Sequence, residues 1–181
     1  MFKLAVFVGS TRPTSSNLKF ARALERLAAG RLAFHYVDIA SLPYYDDSLW
    51  NDPPAEVLRL KREIAEADGV LFVTPEYNRS IPGVLKNAID NASRPPGQSA
   101  WTGKPAGILG VSTGPIGTAA AQQHLRNILA VLNVPTLCQP EAFIQMKEGL
   151  FDGAGNIGAD SKQFLQNWMD KYVEWVQKYV A

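Results

Sequence analysis

Five times along this chain a short apolar run gives way to a helical stripe, and that alternation leaves few folds open. Leu4-Ala5-Val6-Phe7-Val8 is continuously apolar and closed by Gly9, the pattern of a strand buried on both faces. Over residues 16–29, Leu18, Ala21, Leu24 and Leu27/Ala28 recur at helical spacing. A second strand is predicted over residues 33–39, before Leu42-Pro43. Asp52-Pro53 predicts a helix start, with Asp as N-cap and Pro at the first helical position; Val57, Leu60, Ile64 and Ala67 continue the stripe. Residues 69–73 form another buried strand, stopped by Thr74-Pro75. The remaining predictions are a helix over 82–92, a Pro/Gly-rich loop to Lys104-Pro105, a strand over 106–112, a helix over 116–132, a short strand over 135–138, and a last helix over 160–179. Parallel strands need crossover helices, so the expectation is an α/β, three-layer fold with a five-stranded parallel sheet.

With 181 residues, 46% of them hydrophobic, the chain is expected to be one domain with a full core, residues 1–181. Its 18 Lys+Arg stand against 17 Asp+Glu, for a net charge of +1. That balance builds no basic stripe, so neither nucleic acid nor a membrane is expected as a partner. One cysteine forbids an internal disulfide and a thiolate metal cluster and points to a reducing, cytoplasmic setting. No apolar run nears the ~20 residues of a membrane span. Residues 1–8 are too short for a secretory signal core and read as the first strand.

In open parallel sheets, ligands bind beyond the carboxyl ends of the strands, near the point where strand order reverses. That directs attention to residues 9–17, 74–81 and 112–118. The first loop, Gly9-Ser10-Thr11-Arg12-Pro13-Thr14-Ser15-Ser16-Asn17, carries five hydroxyls, an Asn and an Arg into a helix start. Free N–H groups, a positive dipole end and short hydroxyls suit a phosphate, and Arg12 suits bidentate pairing with it. No Gly-Lys-Ser/Thr follows, so this is not a Walker A loop; Gly9 is its only glycine, so it is not a dinucleotide fingerprint. The plainer alternative, that Ser16 or Asn17 simply caps the helix, leaves the other polar residues without a purpose.

Three stretches together carry a family resemblance: Gly9-Ser10-x-Arg12-x-x-Ser15-x-Asn17; Pro75-Glu76-Tyr77-Asn78-x-Ser80-x-Pro82-Gly83-x-Leu85-Lys86-Asn87-Ala88-Ile89-Asp90; and Ser112-x-Gly114-x-x-Gly117 followed by His124-Leu125-Arg126. Over residues 4–175 the chain resembles the NADPH-dependent FMN reductases, within them the bacterial quinone and chromate reductases. The resemblance implies a flavodoxin-like fold of strand order 2-1-3-4-5, FMN across the three loops, and NADPH or NADH as hydride donor. It further implies that Ser10, Arg12, Ser15, Ser16 and Asn17 hold the phosphate and ribityl chain. Pro75, Glu76, Tyr77, Asn78 and Arg79 would follow the ring edge, with Ser112 and Gly114 on the pyrimidine side. No catalytic acid, nucleophile or metal is demanded, because the flavin carries the chemistry. A small-molecule acceptor (quinone, second flavin, azo dye or metal oxyanion) and a homodimer or homotetramer are likewise implied.

Some positions depart from that pattern. Arg79 stands where relatives often carry an aromatic, and either alters the substrate face, meets the NADPH phosphate or is a solvated surface residue. Asn91 replaces a common Trp, while Ala120 and Gln123 replace larger polar residues on the fourth helix. Gly153-Ala154-Gly155-Asn156-Ile157-Gly158 spells G-x-G-x-x-G but lacks the following crossover strand and acidic residue, so it reads as a turn. His35 and His124 have no metal-ligand spacing. Cys138 is expected to be a buried thiol, Asp46-Asp47 a solvated loop, and Trp168, Tyr172, Trp175 and Tyr179 a core or dimer stripe. The expected function is an FMN-dependent NAD(P)H oxidoreductase working by ping-pong hydride transfer. The alternative, a non-enzymatic FMN carrier or redox-sensing module, fits poorly because carrier flavodoxins are strongly acidic.

Overall fold

Apolar strands this short must share one sheet to hide their backbones, and they do. The computed structural model describes residues 1–180. Strand β1 (Phe2–Val8) pairs in parallel with β2 (Leu32–Tyr36) on one side and β3 (Gly69–Val73) on the other. β4 (Ala106–Ser112) and β5 (Phe143–Gln145) extend the sheet, giving the order β2-β1-β3-β4-β5. The expected order 2-1-3-4-5 is therefore present. Because side chains alternate across a strand, Leu4 and Val6 join one core and Ala5 and Phe7 the other. Helices α1 (Ser16–Leu27) and α5 (Ala159–Val180) cover the first. Helices α2 (Ala55–Glu66), α3 (Gly83–Ala92) and α4 (Ala119–Val131) cover the second.

Aromatic anchors fix both layers. Trp101, from the loop after α3, lies fully buried between Phe7 and Phe72, with ring centroids 5.2 and 5.8 Å away. Its indole N–H donates to Ile89 O at 2.9 Å, so the polar end is satisfied. On the opposite face Trp168 and Tyr172 stack 5.4 Å apart, and the Tyr172 hydroxyl donates to Val70 O at 2.7 Å. A Cβ at Gly107 would stand 2.8 Å from both rings; this glycine is the floor on which they rest. The aromatic stripe of α5 is thus divided: Trp168 and Tyr172 are core, while Tyr179 is 43% exposed.

Several boundaries differ from expectation. The strand expected over 135–138 is a single bridge, Thr136 to Ala106, and the regular fifth strand lies at Phe143–Gln145. Leu137 N donates to Ala106 O at 2.8 Å, but Pro140 has no N–H with which to continue the ladder. The edge breaks there and resumes only as three residues, too few for a periodic signal. Asp52 does not cap α2; it closes a 3-10 turn at Asp47–Asn51, and Pro54 stands at the helix N-cap. Pro54 bars the preceding Pro53 from helical geometry, so α2 starts only afterwards. Strand β2 ends at Tyr36, short of the expected residue 39. Cys138, expected to be buried, is exposed, because it lies on the interrupted sheet edge.

The G-x-G-x-x-G segment is a turn. Asp152 Oδ1 accepts from Ala154 N at 2.9 Å and Asn156 N at 2.8 Å, with Gly155 at φ 78°. Arg26 of α1 donates to Asn156 Oδ1 at 2.6 Å, docking the turn on the helix. Among the described residues no helix is long and apolar enough to cross a membrane.

Candidate functional site

The carboxyl ends of β1, β3 and β4 interlock through glycines. Gly9 N donates to Val73 O at 2.9 Å and Thr74 N to Leu109 O at 3.0 Å. A Cβ on Gly9 would lie 2.7 Å from Thr74 Oγ1, and one on Gly110 only 1.9 Å from Thr74 O. No side chain fits at Gly110 without moving the Thr74 backbone just after β3. The three loops that follow are therefore launched side by side.

In the first loop the polar residues divide their work. Ser15, not Ser16 or Asn17, is the N-cap of α1, its hydroxyl accepting from Leu18 N at 3.2 Å. Asn17 is almost wholly buried; its amide accepts from Val111 N and donates to Val111 O, both at 2.9 Å. That reciprocal pair ties the start of α1 to β4 and so holds the first loop against the third. The side chains of Ser10, Arg12 and Ser16 make no hydrogen bond or ion pair within the chain among the described residues. With the free N–H groups of the first helical turn, they form an uncommitted donor set.

The second loop is a tight hairpin. Tyr77 and Ser80 exchange backbone hydrogen bonds at 2.9 Å in each direction, around Asn78 at φ 50° and Arg79 at φ 65°. Two side chains clamp it to α4. Glu76 Oε2 accepts from Ala121 N at 3.1 Å, capping a helix whose own Thr118 makes no side-chain cap. Ser80 Oγ lies 2.7 Å from His124 Nδ1. Glu76 Oε1 also pairs with the Arg79 guanidinium at 3.4 Å.

In the third loop Ser112 turns inward, its hydroxyl donating to Gly117 O. Gly117 sits at φ 66°, and a Cβ there would stand 2.6 Å from Phe143 C; β5 therefore passes close behind. Met146 N donates to Ser112 O at 2.7 Å, which brings the residue after β5 to the same place.

One cleft of about 250 Å³ results. Ser10, Arg12, Ser15, Ser16 and Asn17 line it from the first loop, Pro75, Glu76 and Tyr77 from the second, and Ser112 from the third. Asn78 and Arg79, at the hairpin tip, and Gly114 are not among its walls. Val111, Thr113 and Met146 are, and sequence reasoning passed over them. Val111 looked like ordinary strand core, and Met146 follows a strand too short to detect. Beyond Ser10 the surface continues to Asp38, whose carboxyl is held below the usual range by the Ser41 hydroxyl, with the Ala40 N–H assisting.

One end of the cleft offers hydroxyls, a guanidinium and helix N–H groups; the other offers Pro75, half-exposed Tyr77, Val111 and Met146. An anionic tail on a flat, largely apolar ring matches that division, and so the residues present fit FMN. Among the described residues no three His, Cys, Asp or Glu side chains group at metal-binding distance.

Comparison with known proteins gives the same picture. Residues 2–149 match the model of the NADPH-dependent FMN reductase family. The chain is 51% identical over 176 residues to a 2-hydroxy-1,4-benzoquinone reductase of a Burkholderia species, covering 97% of this chain and 96% of the relative. It is 46% identical to a quinone reductase of Pseudomonas putida, over 98% of this chain and 96% of the other. Among solved structures it superposes with TM-score 0.95 on FerB, a flavoenzyme NAD(P)H:(acceptor) oxidoreductase from Paracoccus denitrificans, at 46% identity and 99% coverage of both chains.

Proposed function

The chain belongs to the NADPH-dependent FMN reductase family, and on that premise we propose that this oxidoreductase is a quinone reductase whose residues 1–181 serve as one FMN-binding domain. The observation that carries the reading is the uncommitted donor set of Ser10, Arg12 and Ser16 facing the Pro75–Tyr77 wall across a single cleft. Bound FMN supplies a ring that accepts hydride from NAD(P)H and passes two electrons to an acceptor.

The protein's share is binding, orientation and electrostatics. Arg12 and the hydroxyls of Ser10 and Ser16 hold the phosphate, with the first-turn N–H groups of α1 behind it. Ser15 and Asn17 keep that turn in place, as cap and as tie to β4. Pro75, Glu76 and Tyr77 present backbone and ring surface to the isoalloxazine edge, and Ser112 faces it from β4. Gly114 and Asn78 stand just outside these walls and contribute loop shape.

Donor and acceptor share one opening and so take turns in it, which is ping-pong behaviour. A quinone is the acceptor favoured by the relatives' names; free flavins, azo compounds and metal oxyanions are further candidates for the same opening. The working enzyme is proposed to be a cytoplasmic homodimer or homotetramer, consistent with the apolar Tyr77 and Ile116, about half exposed, on the second and third loops. Steady-state kinetics of the FMN-loaded protein with NADPH and a benzoquinone test the reading. Parallel double-reciprocal lines are expected. Failure to oxidise NADPH with any quinone or free flavin would refute it.

A further inference from the structure

Arg79 occupies a backbone position that its side chain does not favour. In a two-residue hairpin loop with both φ values positive, Asn is well tolerated first and Gly is preferred second. Here Asn78 (φ 50°) meets the first preference and Arg79 (φ 65°) departs from the second. Non-glycine residues held there carry a steric penalty, and such outliers gather at functional sites. The guanidinium does little for the fold in return. It is 68% exposed, and its one side-chain partner among the described residues, Glu76 Oε1, is 3.4 Å away. Glu76 lines the cofactor cleft, so this cation stands one side chain outside the cleft's mouth.

The ion pair is also easily exchanged. Glu76 keeps its second oxygen on Ala121 N at 3.1 Å, at the positive end of α4. When Arg79 swings away, that carboxylate is still compensated. Arg12, the cation within the cleft, lies on the opposite loop. We propose that Arg79 is the residue that docks a phosphate of the nicotinamide dinucleotide donor, leaving Glu76 to do so. The inference rests on the oxidoreductase reading above. The phosphate is either the 2′-monoester peculiar to NADPH or the pyrophosphate shared with NADH, and the experiment separates the two.

Binding of NADP⁺ and NAD⁺ to the FMN-loaded protein is measured by calorimetry for the wild type, Arg79→Gly and Arg79→Lys. Arg79→Gly relieves the backbone penalty, so its melting temperature is expected to hold or rise and the flavin absorbance to persist. Its affinity for NADP⁺ is expected to fall about ten-fold or more, the range for a lost charge-assisted hydrogen bond, with Arg79→Lys in between because it keeps the charge without the fork. A loss confined to NADP⁺ identifies the 2′-phosphate; an equal loss for NAD⁺ identifies the pyrophosphate. Unchanged affinity for both overturns the proposal, as does a loss accompanied by a lower melting temperature. A wild-type protein that holds FMN and binds both dinucleotides, with an indifferent Arg79→Gly, refutes this inference alone. A wild type that holds no FMN refutes the oxidoreductase reading itself.

Discussion

Arg12 and Asn17 stand five residues apart in one polar loop, yet the structure gives them opposite tasks. Arg12 is exposed, and its side chain makes no hydrogen bond or ion pair among the described residues, so replacing it removes little from the fold. Arg12→Ala is expected to weaken FMN binding by about 1.5–3 kcal/mol, the range for a charge-assisted hydrogen bond, with an unchanged melting temperature; flavin fluorescence titration reads the first and calorimetry the second. Asn17 is the reverse case. Its two bonds to Val111 satisfy a buried backbone donor and acceptor. Asn17→Ala is expected to cost about 2–4 kcal/mol of stability from two orphaned backbone groups and to loosen FMN through a displaced loop. A variant as stable as the wild type would contradict the tie. Nothing in the sequence separates these roles, because Asn17 reads as cap or ligand until its partner, 94 residues on, is known.

Among the elements, β1, β3 and β4 were legible almost residue for residue, since strands buried on both faces leave unbroken apolar runs. Helices α1, α3 and α5 were found within two residues at each end, α1 by its stripe. Where reading failed, a local rule gave way to a neighbour. Pro54 displaced the start of α2, and Pro140 split the fifth strand, which hid Met146 from view. The start of α4 is the instructive case: its cap comes not from Thr118 but from Glu76, 45 residues earlier. Sequence resemblance set Glu76 along the flavin edge; the structure turns its carboxylate to α4 while leaving it on the cleft wall. Glu76→Ala is therefore expected to fray the first turn of α4 by about 1 kcal/mol. Faster amide hydrogen exchange at Ala121 and its neighbours would reveal this, and protection equal to the wild type would refute it. Glu76→Gln, which keeps an acceptor for Ala121 N, is expected to recover most of that protection.

Across the whole molecule, a sheet covered on both faces spends its helices on burial and leaves its strand ends free for chemistry. The resemblance already pointed to that end of the sheet, and the cleft formed there by the loops after β1, β3 and β4 is where the uncommitted polar groups collect. The near-neutral charge suits an enzyme that meets small acceptors rather than one steered to a charged protein partner. The start of α1 is proposed to seat an anion, with the hairpin after β3 bordering a flat ring. The decisive experiment titrates flavin-free protein with FMN and, separately, with riboflavin, which differs only in lacking the phosphate. One FMN per chain, bound at least about a hundred-fold more tightly than riboflavin (roughly 2.7 kcal/mol), with the difference cut about ten-fold or more in Arg12→Ala, is the result expected. Equal affinity for the two flavins, or a protein that ignores both, would contradict it.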